Sequence, residues 1–399
     1  MISCDFLVIG GGIIGLTVAK NLKKSFHGSR VVLIEKESDC GLHASGRNSG
    51  VLHAGFYYSS NSLKARFSRE GNRIMTEYCL NKKLKINQCG KLVVAKNESE
   101  LSRLNDLFER GKVNKVDLKK ISEKEALEIE PRIKTFESAL FSPTTSSIDP
   151  KEAMNSLKKD ALNEGVEINV ETGYLKREGN LIITNKGKIE CGFFVNAAGL
   201  YADKIAMDFG FSKNYRILPF KGLYLYSDEP PGNLRTNIYP VPDPQYPFLG
   251  VHFTITVEGR VKIGPTAIPA FWREQYSGLD NFDLNEWTEI MFRQFGLMAF
   301  SGFDFKKLAF EELKKYSKSY MARLASDLAT EVSSNQFSWG KPGIRAQLID
   351  MKKRKLEMDF VLEGDDKSLH ILNAVSPGFT CAFPMADYVC ERIREAANI

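Results

Sequence analysis

Phe6-Leu7-Val8-Ile9-Gly10-Gly11-Gly12-Ile13-Ile14-Gly15 joins four apolar residues to a run of glycines of the form GxGxxG. The apolar run reads as a strand, and Ile14, Val18, Leu22 and Phe26 recur at spacing four, which predicts a helix opening at the last glycine. A turn at Gly28 leads to Val31-Val32-Leu33-Ile34, a second strand, and Glu35 follows it directly. This is a βαβ unit with a dinucleotide fingerprint. Gly10 permits the tight turn, Gly12 lets a pyrophosphate approach the backbone at the helix N-terminus, and Gly15 lets helix and strand pack closely. Glu35 can accept from ribose hydroxyls.

Composition sets the limits around that motif. The chain has 399 residues, 43% apolar and 26% charged, with 55 Lys+Arg against 49 Asp+Glu for a net charge of +6. Disorder and a mini-protein scaffold are excluded, and the length predicts two or three domains. No stretch reaches the length of an apolar membrane span, and the first strand starts almost at Met1 without a basic flank or cleavage site, so the expected address is cytoplasmic. The seven cysteines are scattered without a CxxC pair and read as reduced thiols, with no metal site. The basic run Lys352-Lys353-Arg354-Lys355 reads as a solvated loop, and no nucleic-acid reader motif is present.

No linker or repeat divides the chain, which predicts domains interleaved along the sequence. A helix carrying Ala153, Leu157 and Leu162 precedes a strand over Val166 to Val170, a hairpin around Asn180 and a strand ending at Val195. Alternating segments between Pro219 and Pro265 predict an antiparallel sheet, residues 283–331 are helix-rich, and the end of the chain returns to strand, turn and helix. Phe193-Phe194-Val195-Asn196-Ala197-Ala198-Gly199 is a second strand entering a small-residue turn, with Asp203 beyond. It favours FAD over NAD, because small side chains there let the backbone pass close to the dinucleotide.

Ser45-Gly46-Arg47-Asn48-Ser49-Gly50-Val51-Leu52-His53-Ala54-Gly55-Phe56-Tyr57-Tyr58 is similar to the HNSGVIHAGxYY segment of the L-2-hydroxyglutarate oxidases and dehydrogenases, in the D-amino-acid-oxidase-like FAD superfamily. The likeness continues through Cys89-Gly90-Lys91-Leu92, Ile238 to Asp243, Pro247 to Thr254, Gly264-Pro265, Arg273-Glu274 and Gly343-Ile344-Arg345, covering nearly the whole chain. It departs from the family at Arg47, at Lys221-Gly222-Leu223-Tyr224 and at Ser376-Pro377-Gly378-Phe379-Thr380.

The resemblance implies an α/β fold: a Rossmann-like FAD-binding domain from 1–80, 141–215 and 335–399, with an interleaved α+β substrate domain from 81–140 and 216–334 containing the antiparallel sheet. The implied reaction takes (S)-2-hydroxyglutarate to 2-oxoglutarate, with hydride passing from C2 to flavin N5 and electrons onward to a quinone or oxygen. The implied cofactor contacts are Gly10, Gly12, Ile13, Ile14, Gly15, Glu35, Lys36, Ser45, Asn48, Ser49, Gly50, Ala198, Gly199, Pro377, Gly378, Phe379 and Thr380. The last four precede a helix starting near Ala382, whose dipole suits negative charge on the reduced flavin.

Removing the hydroxyl proton needs a base, and histidine suits that task near neutral pH. His53 and His252 lie in the family-like blocks and are the two candidates, His53 first; His27 and His370 read as structural. His43 and Cys40 lie where related amine oxidases tether flavin, and no covalent link is expected. A dicarboxylate needs fixed donors. Arg345 is the first choice by resemblance, with Lys221 and Arg273 behind it, and Tyr57 and Tyr224 as phenolic donors. Glycerol 3-phosphate or an amino acid is the alternative substrate, but Tyr57 stands where glycerol-3-phosphate dehydrogenases carry an arginine. Met298, Phe300, Phe303, Phe305 and Leu308, mixed with Lys306, Lys307, Lys314, Lys315 and Lys318, raise a further expectation of peripheral contact with the inner face of an anionic membrane.

Overall fold

A computed structural model describes residues 2–244, 246–301 and 304–397. The chain divides into two compact units, one from Met1–Asn48, Pro150–Leu218 and Arg345–Ile399, the other from Ser49–Asp149 and Pro219–Ile344.

The first unit is built on a parallel sheet. Its central strand, Ile2–Ile9, pairs with Gly187–Asn196 on one side and Val31–Ile34 on the other, and Val31–Ile34 pairs in turn with Glu167–Asn169. Ser368–Ile371 extends the sheet beyond Asn196, and the Tyr174–Glu178/Leu181–Thr184 hairpin adds an antiparallel edge. Val31 to Ile34 are all fully buried. Helices packed on the sheet explain why such strands are continuously apolar rather than alternating. Those helices are Ile13–Ser25, Pro150–Asn163 and Ala382–Ala397. The Thr17 hydroxyl donates to the Ala382 carbonyl (3.2 Å), tying the first helix to the start of the last.

The second unit carries an eight-stranded sheet in the order Phe337–Trp339, Leu225–Ser227, Val261–Gly264, His252–Ile255, Asn237–Pro240, Lys91–Val94, Ser138–Ser142, Lys119–Ser122. It is antiparallel except where Asn237–Pro240 runs beside Lys91–Val94. On one face Leu92, Val94, Leu225, Ile238, Phe253, Ile255, Val261 and Ile263 close a core with Met321 and Ala325 of the Lys318–Ser326 helix.

The units break at other positions than the sequence suggests. Residues 49–80 belong with the second unit because Val51–Leu52 pairs with Ser146–Ile148, which also pairs with Ile86–Asn87. Asn72, on the Leu63–Asn81 helix, reinforces this by donating to the carbonyls of Leu52 and Thr144 (3.0 and 3.1 Å). Residues 141–149 join for the same reason, and residues 335–344 do so because Phe337–Trp339 is an edge strand of the large sheet.

Among the described residues no helix is long and apolar enough to cross a membrane. The expected amphipathic stretch is also rearranged. Phe305 and Leu308 are buried, Lys315 is buried in an ion pair with Glu312, and Phe303 lies outside the described residues. Of the expected apolar residues Met298 (44% exposed) and Phe300 (66%) remain at the surface, joined by Phe292 (80%) and Phe295 (70%) on the same Leu284–Phe300 helix and by Phe310 (57%) on the next.

Candidate active site

The glycine loop of the first unit separates glycines that the protein needs from one that it does not. A Cβ on Gly15 would lie 1.8 Å from the Gly10 carbonyl oxygen, and one on Gly10, at φ +107°, would lie 2.5 Å from that of Ala197. Packing alone demands both. A Cβ on Gly12 would meet only the Ser45 hydroxyl, at 3.2 Å, and its φ of −74° suits any residue. Gly12 thus leaves room at the N-terminus of the Ile13–Ser25 helix, which has no side-chain cap on Gly12 and no acidic residue in its first turn. Ser45 Oγ accepts from the Ile13 N–H (2.9 Å). The Glu35 carboxylate is buried and held in place by the N–H groups of Gly11 (2.7 Å) and Glu37 (2.9 Å), and both oxygens retain a lone pair for a further donor. An anion-accepting helix end, a cleared backbone and a fixed carboxylate fit the diphosphate and ribose of FAD.

The surrounding candidates do local work. Asn48 donates to the carbonyls of Ala44 and Ser45, bracing the turn that presents Ser45. The Ala198 N–H donates to Asn196 Oδ1, shaping the turn at Gly199. Lys36 pairs with Glu37. Ser49 and Gly50 fall in the second unit. In the last turn, Gly378 N–H donates to Val375 O and Cys381 N–H to Pro377 O, and a Cβ on Gly378 would sit 2.5 Å from Ala374 O. Gly378 is therefore required by the turn itself.

His370 is a core residue: it packs on Phe194, Phe209 and Phe211, bonds Asn196, and burial lowers its pKa to about 4. The Cys40 thiol is pushed up to about 12 by burial and by the nearby Glu35 carboxylate, so it is no nucleophile at neutral pH. His43 bonds Glu37 (2.9 Å).

The chemistry gathers on the second face of the eight-stranded sheet. Cross-strand partners share a face. Lys91 is registered with Asn237, Thr254 with Lys262, and Lys262 with Tyr226, while the Ile238–Phe253 pairing sets Tyr239 beside His252. One side of the sheet is thus apolar core. The other presents Lys91, Asn237, Tyr239, His252, Thr254 and Lys262, all at most 5% exposed. Burying so many polar groups opposes folding; toward one end of this face Val93, Leu140 and Tyr239 pack with Phe56, Leu104 and Leu107 in a second apolar cluster.

Lys91 is fully buried, its ammonium 4.5, 4.6 and 4.8 Å from the ring centroids of Phe56, Tyr57 and Tyr239. Burial drops its pKa to about 7. Lys262 donates to the Ser49 carbonyl (2.8 Å), lies over the Tyr224 ring at 5.1 Å, and is lowered by burial to about 8. His53 is lowered to about 3, first by burial, then by the charges of Lys91 and His252. His252 stacks on Tyr239 with ring centroids 3.8 Å apart. Its Nδ1 lies 2.8 Å from the Gly250 carbonyl; a carbonyl only accepts, so Nδ1 carries a hydrogen.

His53, His252, Tyr57 and Tyr224 therefore belong to one neighbourhood. Lys221 does not share this sheet face: it is buried on the Tyr215–Gly222 strand, paired with Ile268. Arg273 is fully buried, with Glu286 as a carboxylate partner at 3.8 Å. Arg345 is half-buried on the Gly343–Asp350 strand and falls in the first unit. Sequence reasoning missed Lys91, Tyr239 and Lys262. The available signal was a lysine inside a short apolar strand, as in Val261-Lys262-Ile263.

The sequence profile of the FAD dependent oxidoreductase (DAO) family matches residues 5–392. The protein named mitochondrial L-2-hydroxyglutarate dehydrogenase in Mus musculus is 34% identical over 413 residues, covering 97% of this chain and 88% of that one. The L-2-hydroxyglutarate dehydrogenase of Escherichia coli K12 is 32% identical over 397 residues, covering 98% and 93%. Among solved structures, the FAD-bound L-alpha-glycerophosphate oxidase of Mycoplasma pneumoniae superposes with a TM-score of 0.77 at 21% identity, covering 99% of this chain and 95% of that one, a likeness of fold. With its glycine loop, Glu35 and a polar sheet face behind an end-to-end match, the chain belongs to the L-2-hydroxyglutarate dehydrogenase family of FAD-dependent oxidoreductases.

Proposed function

We propose that this protein oxidises (S)-2-hydroxyglutarate to 2-oxoglutarate. The observation that carries the reading is the buried polar face, where His252 and two lysines sit together without an acidic residue among the registered positions, with His53 close enough to feel the charges of Lys91 and His252. Such a face suits an anionic substrate that gives up a proton. The first unit is the FAD-binding domain, with Gly10, Gly12, Ile13, Ile14, Gly15, Glu35 and Ser45 at the dinucleotide and the 377–380 turn at the flavin. The second is the substrate domain. Bound FAD supplies the two-electron acceptor, and a quinone or oxygen reoxidises it.

His53 takes the hydroxyl proton. Held near 3 by burial and by Lys91, it is neutral at physiological pH and has a lone pair to offer. A substrate carboxylate arriving nearby raises its proton affinity, so the base strengthens when substrate is present. Positioned proton removal is worth roughly 10²–10⁴ in rate. His252, stacked on Tyr239, is the second basic group and orients the neighbourhood. Arg345 offers a planar fork to one carboxylate, and Tyr57 and Tyr224 donate phenolic hydrogen bonds. The exposed Phe292, Phe295, Phe300 and Phe310 surface, with Lys306 and Lys307 nearby, supports peripheral contact with an anionic membrane, where a quinone would be met.

Anaerobic addition of (S)-2-hydroxyglutarate, 2-hydroxybutyrate, glycerol 3-phosphate and amino acids tests this reading. The oxidised-flavin band should bleach fastest with (S)-2-hydroxyglutarate. Faster bleaching by glycerol 3-phosphate or an amino acid would transfer the assignment to that substrate.

A further inference from the structure

Two buried donors of the second unit stand out. Among the described residues neither Lys91 Nζ nor Tyr57 Oη forms a hydrogen bond, and both atoms are buried. They share one enclosure: the Lys91 amine faces the Tyr57 ring at 4.6 Å and is flanked by Phe56 and Tyr239. A buried amine ordinarily carries a carboxylate beside it, because desolvation of an unpaired ammonium costs several kcal/mol. Here nothing acidic offsets the burial of Lys91; desolvation alone shifts it. Aromatic faces stabilise a cation only partly. The remaining charge is balanced when an anion enters.

We propose that Lys91 and the Tyr57 hydroxyl together receive one carboxylate of the substrate, Lys91 by ion pairing and Tyr57 by donating a hydrogen bond. The assignment deepens the function proposed above and rests on it. Lys91 becomes a substrate-binding residue, and the three rings hold its amine in place and exclude water.

The other titratable groups in this neighbourhood include His53, Tyr57, Tyr58, Cys89, Tyr224, Tyr239 and His252, with Lys262 farther along the same face. Burial pushes the phenols of Tyr57 and Tyr239 far up, so neither exchanges a proton near neutrality. Lys91, lowered to about 7, is mostly neutral at slightly alkaline pH and is driven to its charged form by a carboxylate. Anion binding must therefore draw a proton from solvent.

Glutarate, which has no hydroxyl to oxidise, is the probe. The FAD-loaded enzyme is titrated with it by calorimetry at about pH 8, in two buffers of different ionisation enthalpy, which together report proton uptake. Wild type should take up a substantial fraction of a proton per glutarate. K91M should bind glutarate roughly tenfold or more weakly, with that uptake gone, while FAD content is unchanged. K91R, permanently charged, should bind without uptake, and Y57F should bind several-fold more weakly with uptake retained. K91R and Y57F keep the test open should K91M fold poorly. K91M binding glutarate as wild type does, with the same uptake, would assign the proton to His53 and overturn the proposal. Failure of (S)-2-hydroxyglutarate to bleach the wild-type flavin would instead overturn the underlying function.

Discussion

The His252 ring lies against Tyr239, centroids 3.8 Å apart and planes 27° from parallel, on neighbouring strands of one sheet. His252 is thus held at both ends, by a stack on its face and by the Gly250 carbonyl at Nδ1. Burial first, then the charges of Lys91 and His252, lower the proton affinity of His53. H53Q should lower the rate of flavin reduction by at least about 10² with little change in substrate affinity, and flatten the acidic limb of the pH profile. H252Q should cost less and leave that limb in place. If neither variant slows reduction tenfold, proton removal belongs to another group.

Gly12 and Gly15 should fail differently. The Cβ of G15V would lie 1.8 Å from a backbone oxygen, so the helix must move and several kcal/mol of stability should be lost. A Cβ at position 12 meets only a hydroxyl, at 3.2 Å, in the protein. G12V should fold to a colourless apoprotein whose melting temperature matches that of wild type stripped of FAD. A fully yellow G12V protein would sink the assignment of this loop to the diphosphate.

The loop was legible because its requirements are local: a tight turn, a helix start and an acidic residue at a fixed distance all lie within Phe6–Glu35. The unit boundaries were not, because they depend on Val51–Leu52 finding Ser146–Ile148 far along the chain. In the substrate domain His53 and His252 stood out as rare, chemically specific residues. Lys91 and Lys262 did not, since a lysine is normally solvated, and strand period tells which face it takes without telling what covers that face. The contact between Arg273 and Glu286 was hidden for a similar reason: the two are thirteen residues apart, and nothing in the sequence joins them.

Titration of the buried site should appear in stability. His53 is lowered to about 3 in the folded state, against about 6.5 unfolded, so the unfolded chain binds the extra proton between those values. Wild type should lose stability as pH falls from about 6.5 toward 3, and H53Q should lose less. For Lys91, about 7 folded against about 10.4 unfolded, the burial cost is fully present below pH 7 and fades as pH rises toward 10. K91M should therefore gain most over wild type in denaturant midpoints below pH 7. A K91M advantage that grows toward pH 10 would contradict the shift.

Phe292, Phe295 and Phe300 are each at least 66% exposed on one helix, an unusual outlay of aromatic surface. Flotation with anionic liposomes at low salt should carry the wild type upward. A variant with Phe292 and Phe295 changed to serine should stay at the bottom with turnover on a soluble acceptor unaffected. A wild type that does not float is no membrane binder by this surface.

Arg345 tests the charge of the substrate. It sits half-buried on the Gly343–Asp350 strand, and a guanidinium pairs with a carboxylate through two N–H groups of its planar fork. R345K keeps the charge and loses the fork. It should lower kcat/KM for (S)-2-hydroxyglutarate by at least about tenfold, equivalent to roughly 1.4 kcal/mol, and R345A should lower it further because a substrate carboxylate is left unpaired. FAD content should not change. 2-Hydroxybutyrate, with one carboxylate, should be a poor substrate for wild type and lose less in the variant that already lacks one anion partner. Should 2-hydroxybutyrate bleach the flavin faster than (S)-2-hydroxyglutarate at equal concentration, the second carboxylate has no partner and the dicarboxylate reading falls.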